Sequence, residues 1–300
     1  SVVSMVLIVL SIHHTHGKRQ NFQMKIDKSL YTKEEYRKLK REKNLRKLEK
    51  QYARRLKKDP AASQINILCL KHGKKYDASY VNRLYTMCKK YCTLPYNFFC
   101  ATEDPEGINR DVNIIPLPKS AMNGWWYKPW LFSNETGLRE GTIFYMDLDV
   151  VISNNIDKLF THKPGVWLIC RDFTRAMRPN WDRFNSSVMR WEAGQHEFIY
   201  NNFISNAMSN MRRFHGDQDW IWDQGKDVAT YFPDDWIRSW KWEIRKTKHF
   251  KPGGTRGNRK LEKIEDVTPD KDVCICVFHG DPNPHNCEDP WVINNWHKII

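Results

Sequence analysis

The chain opens with an apolar run, Val2 to Leu10, broken only by Ser4, and then turns strongly polar. Leu45, Leu48, Tyr52 and Leu56 form a narrow apolar stripe near the i, i+3, i+7 spacing of one helix face. Thr32 stands at an N-cap position, Glu34 and Glu35 follow it, and Asp59-Pro60 closes the run. The spacing predicts a long charged helix over 30–58. From Gln64 onward the pattern shifts to short apolar runs. Ile65–Leu70 reads as a strand, and Ala78–Tyr91 as a helix with Val81, Leu84, Tyr85 and Cys88 on one face. Asn97–Thr102 and Val112–Leu117 read as two more strands. Further elements are a helix over Trp125–Phe132 despite Pro129, one buried strand over Gly141–Ile152 and a short helix over Ile156–Phe160. Strands over Gly165–Arg171 and Ser187–Trp191, a helix over 195–212 and a late strand over Val273–Phe278 complete the pattern. This alternation predicts an α/β fold, a sheet with helices on its faces. Ligands of such sheets bind beyond the carboxyl ends of the strands, which places the loop Lys71–Tyr76 near the ligand.

Charge divides the chain unevenly. Of the net +14, residues 33–58 carry +9 and residues 1–32 carry +3, which leaves +2 for residues 59–300. The main body is nearly neutral, so a nucleic-acid partner would have to bind the extension, where aromatics are sparse; such a partner is not expected. An anionic membrane surface suits residues 1–58 better. The apolar run near the start is too short to span a bilayer and matches a signal h-region in length. Because the chain starts at Ser, a truncated anchor of a type II membrane protein is the alternative to a cytoplasmic, membrane-associated protein. Four of the eight cysteines, Cys69, Cys170, Cys274 and Cys276, sit in apolar strand-like runs, and no paired C-x-x-C spacing suggests zinc. Reduced thiols are expected.

The strongest chemical signal is Asp147-Leu148-Asp149 inside the run Gly141–Ile152. On a strand the two carboxylates share a face. Desolvating each costs several kcal/mol or more, and the two repel. A divalent cation, Mn²⁺ or Mg²⁺, is the simplest remedy. Haloacid-dehalogenase phosphatases share this spacing, but their pair follows the first strand of the fold.

Tyr145-Met146-Asp147-Leu148-Asp149, followed by Asn155-Ile156-Asp157 and Leu159-Phe160, resembles the carboxylate block of glycosyltransferase family 8, the glycogenin-like enzymes. It resembles still more a group of uncharacterised bacterial and phage-borne glycosyltransferases. The likeness covers roughly residues 64–298. It implies a GT-A domain over 61–300, with 1–60 as an N-terminal extension. It also implies metal-dependent transfer of a sugar, hexosyltransferase-like, from a nucleotide sugar (a UDP-sugar) to a glycan, lipid or protein acceptor. Phe184-Asn185-Ser186-Ser187-Val188-Met189 resembles a family block whose Asn touches the donor sugar, which assigns Asn185 to the donor. The rival reading of Asn185-Ser186-Ser187 is a glycosylation sequon. His215-Gly216-Asp217-Gln218-Asp219-Trp220 resembles the block that places an Asp and a Gln beside the anomeric carbon, and so gives Asp217 and Gln218 the catalytic role.

The C-terminal stretch Cys276 to Pro284 resembles the His-x-x-Gly-x-x-Lys-Pro block but departs from it twice. His279 stands two residues from the family's metal-binding His, on the same strand face, and joins Asp147 and Asp149 as the third expected ligand. Asn283 replaces the phosphate-binding Lys, so Lys71 or Lys128 must supply that charge. Lys128 matches a basic position that contacts the donor, and Asp172 an acid that binds donor hydroxyls. The alternatives are a metal-dependent phosphatase and a non-catalytic sugar- or nucleic-acid-binding protein.

Overall fold

The computed structural model describes residues 31–58, 63–120, 122–246 and 267–299. The apolar run Val2–Leu10 lies outside them. Two units are distinguished, residues 1–40 and 41–300, and helix α1 (Lys33–Lys58) runs through the boundary. In the first unit the start of α1 is closed by a capping box. The Glu35 N–H donates to Thr32 Oγ1 at 3.2 Å, and the Thr32 N–H donates to Glu35 Oε2 at 2.9 Å. The Thr32 N–H and then the Thr32 hydroxyl, both donating to the carboxylate, hold the Glu35 pKa below its usual value.

The second unit is built on a seven-stranded sheet of order β3-β2-β1-β4-β7-β6-β8. The strands are β1 (Ile65–Lys71), β2 (Tyr96–Thr102), β3 (Asn113–Pro116), β4 (Thr142–Met146), β6 (Leu168–Arg171), β7 (Phe184–Glu192) and β8 (Thr230–Tyr231). The run β3-β2-β1-β4 is parallel, and β7 is antiparallel to both β4 and β6. A second, three-stranded sheet joins β5 (Val150–Ile152), β10 (Ile275–Val277) and β9 (Ile237–Ser239). Alternation sends Ile65, Ile67, Cys69, Phe144 and Met146 into a core shared with α2 (Ala78–Tyr91) and the second sheet. Leu68, Leu70, Ile143 and Tyr145 enter the opposite core, with α4 (Phe198–Ile204) and α6 (Asp217–Gly225). This is the α/β sandwich expected from the sequence. All eight cysteines are buried and unpaired.

Three expected elements are broken, each for a local reason. The run Gly141–Ile152 is not one strand: β4 ends at Met146, Asp147–Asp149 is irregular, and β5 belongs to the other sheet. The helix over Trp125–Phe132 is two 3-10 turns, Gly124–Tyr127 and Pro129–Phe132, because Pro129 has no N–H to continue a helix. The helix over 195–212 splits into α4 and α5 (Ala207–Arg213) at Asn206, whose φ of −153° and ψ of 55° are not helical. α3 (Asp157–Thr161) follows β5 as expected.

Within the second unit, residues 41–58 of α1 pack on the sheet domain. Arg41 donates to the Ala229 carbonyl, and Arg55 pairs with Glu192, which also accepts from Thr142 Oγ1 at 2.8 Å. Gly165 has φ +78°, and a Cβ there would stand 2.3 Å from Tyr52 Cβ. Glycine thus supplies both the left-handed turn and the room for α1. Beside this contact the buried Arg190 donates to the carbonyls of Leu159, Phe160, His162, Lys163 and Val166. Gly165→Ala is expected to cost about 2 kcal/mol by overpacking, measured as a fall in the urea midpoint. An unchanged midpoint would show that α1 does not rest on this turn.

Candidate functional site

The carboxyl ends of β1, β4 and β6 and the start of β7 meet at the irregular segment Asp147–Asp149. Its backbone is pegged on both sides. The Asp147 N–H donates to the Ser187 carbonyl at 2.8 Å, and the Phe278 N–H donates to the Asp149 carbonyl at 2.9 Å. The acids therefore stand at the seam of the two sheets, partly open to solvent, rather than inside a buried strand as expected. A strand that changes sheets must leave its ladder, and the freed segment can carry charge at its edge.

Lys128 fills the centre. It caps the first 3-10 turn and is 7% exposed. Its Nζ lies 2.9 Å from Asp147 Oδ1 and 3.4 Å from Asp217 Oδ2, and donates to Ser186 Oγ at 3.1 Å. Burial alone would depress its pKa, but the charges of Asp147 and Asp217 outweigh that and move it above the ordinary lysine value. Asp217 begins α6 and accepts from Ser186 Oγ at 2.6 Å; burial raises its pKa, against the pull of Lys128. Tyr145 OH donates to Asp147 Oδ1 at 2.6 Å. Ser186 reaches this cluster through an irregularity. Ile169 pairs with Met189 but Cys170 with Asn185, so residues 186–188 bulge from the β6 edge.

Asp149 forms a second group. Tyr76 OH donates to its Oδ2 at 3.0 Å and sits 2.8 Å from Asn283 Oδ1. Burial, then the Asp147 charge, push the Asp149 pKa up to about 6 despite Lys75, the Tyr76 hydroxyl and Lys128. Gln218 Nε2 donates to Asp172 Oδ2 at 2.9 Å, which joins an expected catalytic residue on α6 to an expected donor-binding acid at the end of β6. Asn185 is 7% exposed within β7, and its Oδ1 accepts the Ser187 N–H at 3.0 Å. A buried strand residue is no glycosylation acceptor, so the sequon reading is corrected.

Two expected residues are placed differently. Lys71 is 3% exposed and spends its ammonium on the Asp104 carbonyl at 2.9 Å and on Asp104 Oδ2 at 3.2 Å. It lines a cavity of about 400 Å³ with Tyr76, Ser79 and Glu106. His279 Nε2 lies 2.7 Å from Ser239 Oγ, and its ring stacks on Phe173 at 5.1 Å. Burial and Lys241 push its pKa down to about 3. Among the described residues, no three His, Cys, Asp or Glu side chains converge as a metal-holding group. Asp147 and Asp149 are hard oxygen donors of the kind that suit Mn²⁺ or Mg²⁺.

Ser186 was given no role by the sequence, Tyr76 was placed near the ligand only as part of its loop, and Asn283 was noted only as replacing a lysine. A tyrosine in a loop and a serine in a bulge carry no spacing signal. Tyr145 stands two residues before Asp147, and strand alternation could have flagged it. A larger cavity, about 550 Å³, lies at the amino ends of β1, β2 and β4, lined by Tyr52, Gln64, Tyr96 and Thr142. It is remote from the acids and at the wrong end of the strands for this chemistry.

The Asp149 pKa carries a stability consequence. Between about pH 4 and pH 6 the unfolded chain releases a proton that the folded chain keeps. Stability therefore falls as pH rises through that window and stays lowered above it. In metal-free protein, Asp149→Asn is expected to melt a few degrees above wild type at neutral pH, with the gap closing near pH 4. A variant that melts below wild type at neutral pH would contradict this.

No family model matches the chain, and no curated protein matches it. Solved structures match in shape. An active-site mutant of LgtC aligns over 76% of this chain and 93% of its own, with TM-score 0.51 and 11% identity. The glycosyltransferase GlyE of Streptococcus pneumoniae TIGR4 aligns over 78% of this chain, with TM-score 0.54 and 14% identity, and the match spans 60% of GlyE. A further LgtC structure, described as a galactosyltransferase in complex with donor and acceptor sugar analogs, matches over the same shares with TM-score 0.49 and 11% identity. At such identities the likeness is one of fold: the chain has the GT-A-like architecture of these glycosyltransferases, with its acid pair after the fourth strand.

Proposed function

We propose that this protein is a metal-dependent glycosyltransferase that moves a sugar from a nucleoside diphosphate, UDP in the first instance, to an acceptor hydroxyl. One observation carries the reading: Asp147, Asp149, Lys128, Asp217 and Gln218 gather at the carboxyl ends of the strands of a GT-A-like sheet. Neighbours of this fold include a named glycosyltransferase, GlyE, and LgtC.

Asp147 and Asp149 are the residues that would hold Mn²⁺ or Mg²⁺, and a bound cation would supply positive charge to the departing diphosphate. The cavity beside Lys71 and Tyr76 suits the nucleotide, since it adjoins the Asp149 partner Tyr76. With Lys71 paired to Asp104, Lys75 and Lys241, whose charges act on Asp149, are better sources of phosphate-facing charge. Asp217 and Gln218 lie on the Lys128 flank, where a carboxylate and an amide oxygen stabilise positive charge developing at the anomeric carbon. Asp172 orients Gln218, and both offer acceptors or donors to sugar hydroxyls. Asn185 stands next to Ser186 on the same bulged strand. His279, turned to Ser239, packs against the seam.

The test is hydrolysis of a panel of nucleotide sugars with and without Mn²⁺. Metal-dependent turnover is expected, reduced at least about a hundred-fold in Asp149→Asn. Equal rates in the two proteins would remove the assignment. Trapping a phosphoenzyme on Asp147 would favour the phosphatase reading instead.

The surface of α1 supports contact with an anionic membrane. Leu48, Tyr52 and Arg55 share the docked face, while Arg46, Lys47, Lys50, Arg54 and Lys57 are exposed on the opposite one. Among the described residues no helix is long and apolar enough to cross a membrane. Salt-sensitive cosedimentation with phosphatidylserine vesicles is expected, weakened when Lys50 and Arg54 are both changed to Glu. Binding that ignores the double substitution would exclude this surface.

A further inference from the structure

Trp125 has no packing role that explains it. Its neighbours Trp126 and Trp130 are 7% and 2% exposed, and Trp126 stacks on Phe203 at 5.5 Å. Trp125 is 55% exposed, which leaves the largest apolar side chain facing water. Its position is specific. It lies in the 3-10 turn that Lys128 caps, and the Lys128 N–H donates to its carbonyl at 3.0 Å. In a 3-10 turn side chains at i and i+3 eclipse, so the indole and the Lys128 ammonium leave the same side of the turn. The indole also lies along Gly216, its Nε1 3.5 Å from where a Cβ would stand. Gly216 is extended and leads directly into Asp217. The indole therefore borders the acid cluster on the Asp217 flank, whereas Asp149 and the cavity beside Tyr76 form the other flank.

We propose that Trp125 is the stacking platform of an acceptor subsite, and that the acceptor presents a hexopyranose ring to it. The proposal rests on the sugar-transfer reading above. A pyranose carries C–H groups on one face and hydroxyls around its rim. A flat exposed indole buries that face, while the rim hydroxyls stay free for the polar groups around Asp217. In the sugar-transfer reading the nucleotide takes the cavity on the Asp149 side, which leaves the indole for the second sugar.

The experiment is saturation-transfer NMR on the full chain with UDP and Mn²⁺ present, using methyl β-D-galactopyranoside, methyl β-D-glucopyranoside and lactose as probes. Wild type is expected to saturate ring protons of at least one glycoside. Trp125→Ala should lower that signal about five-fold or more, and Trp125→Phe, which keeps a ring, should restore most of it. A melting midpoint shared by the three proteins separates loss of the subsite from loss of the fold. No glycoside signal from wild type, or equal signals from wild type and Trp125→Ala, overturns the proposal. So does a substitution that weakens UDP saturation instead. Donor hydrolysis by wild type tells the two readings apart. Hydrolysis with a glycoside signal indifferent to Trp125 removes the subsite alone, and no hydrolysis removes the sugar-transfer reading with it.

Discussion

A lysine ammonium held out of water between two carboxylates is the interaction on which the site depends. Lys128 is nearly buried, and no water shell can balance its charge. Asp147 comes from the end of β4, Asp217 from the start of α6 and Ser186 from the bulge in β7. One cation thus ties four segments of the chain to a common point. Removing it would leave the buried Asp217 and the partly exposed Asp147 facing each other without a counter-charge.

The second constraint is the break between the sheets. β4 pairs with β7 and β5 with β10, and the three residues between them belong to neither ladder. Ser187 and Phe278 each hold one end of that segment through its backbone. The acids are fixed by main-chain bonds while their side chains remain at the cleft. This explains how Asp149 can keep a high pKa without unravelling the strand that carries it. Elsewhere the same logic recurs with structural purpose. Arg190 collects five carbonyls from α3 and the turn after it, and Glu192, two residues on, receives Arg55 from α1. β7 therefore serves the site at its start and anchors the basic helix at its end.

Much of this was legible in the residue pattern. The capping residues and apolar spacing located α1 and α2, and short apolar runs located β1 to β3, because local propensity and burial agree there, while β4 and β5 were read as one strand. The Asp-x-Asp pair stood out because charged groups within an apolar run need a reason, whereas Lys128, Asp172, Asp217 and Gln218 were singled out only by the resemblance to glycosyltransferase blocks. What stayed hidden depended on distant partners. Nothing near Tyr76 announces that it meets Asp149, and nothing near His279 announces Ser239. The bulge that presents Ser186 is set by competing registers on β4 and β6, which periodicity cannot reveal.

The residue order by itself determined the α/β class, the basic character of α1 and the presence of two acids one residue apart beside an apolar run, because each follows from spacing and composition. Only the tertiary structure decided that Lys128 stands between Asp147 and Asp217, that Lys71 is committed to Asp104, and that Trp125 is exposed while Trp126 and Trp130 are buried. Those outcomes turn on which side chains meet across the sheet, and contact between residues far apart in sequence is a property of packing, not of pattern.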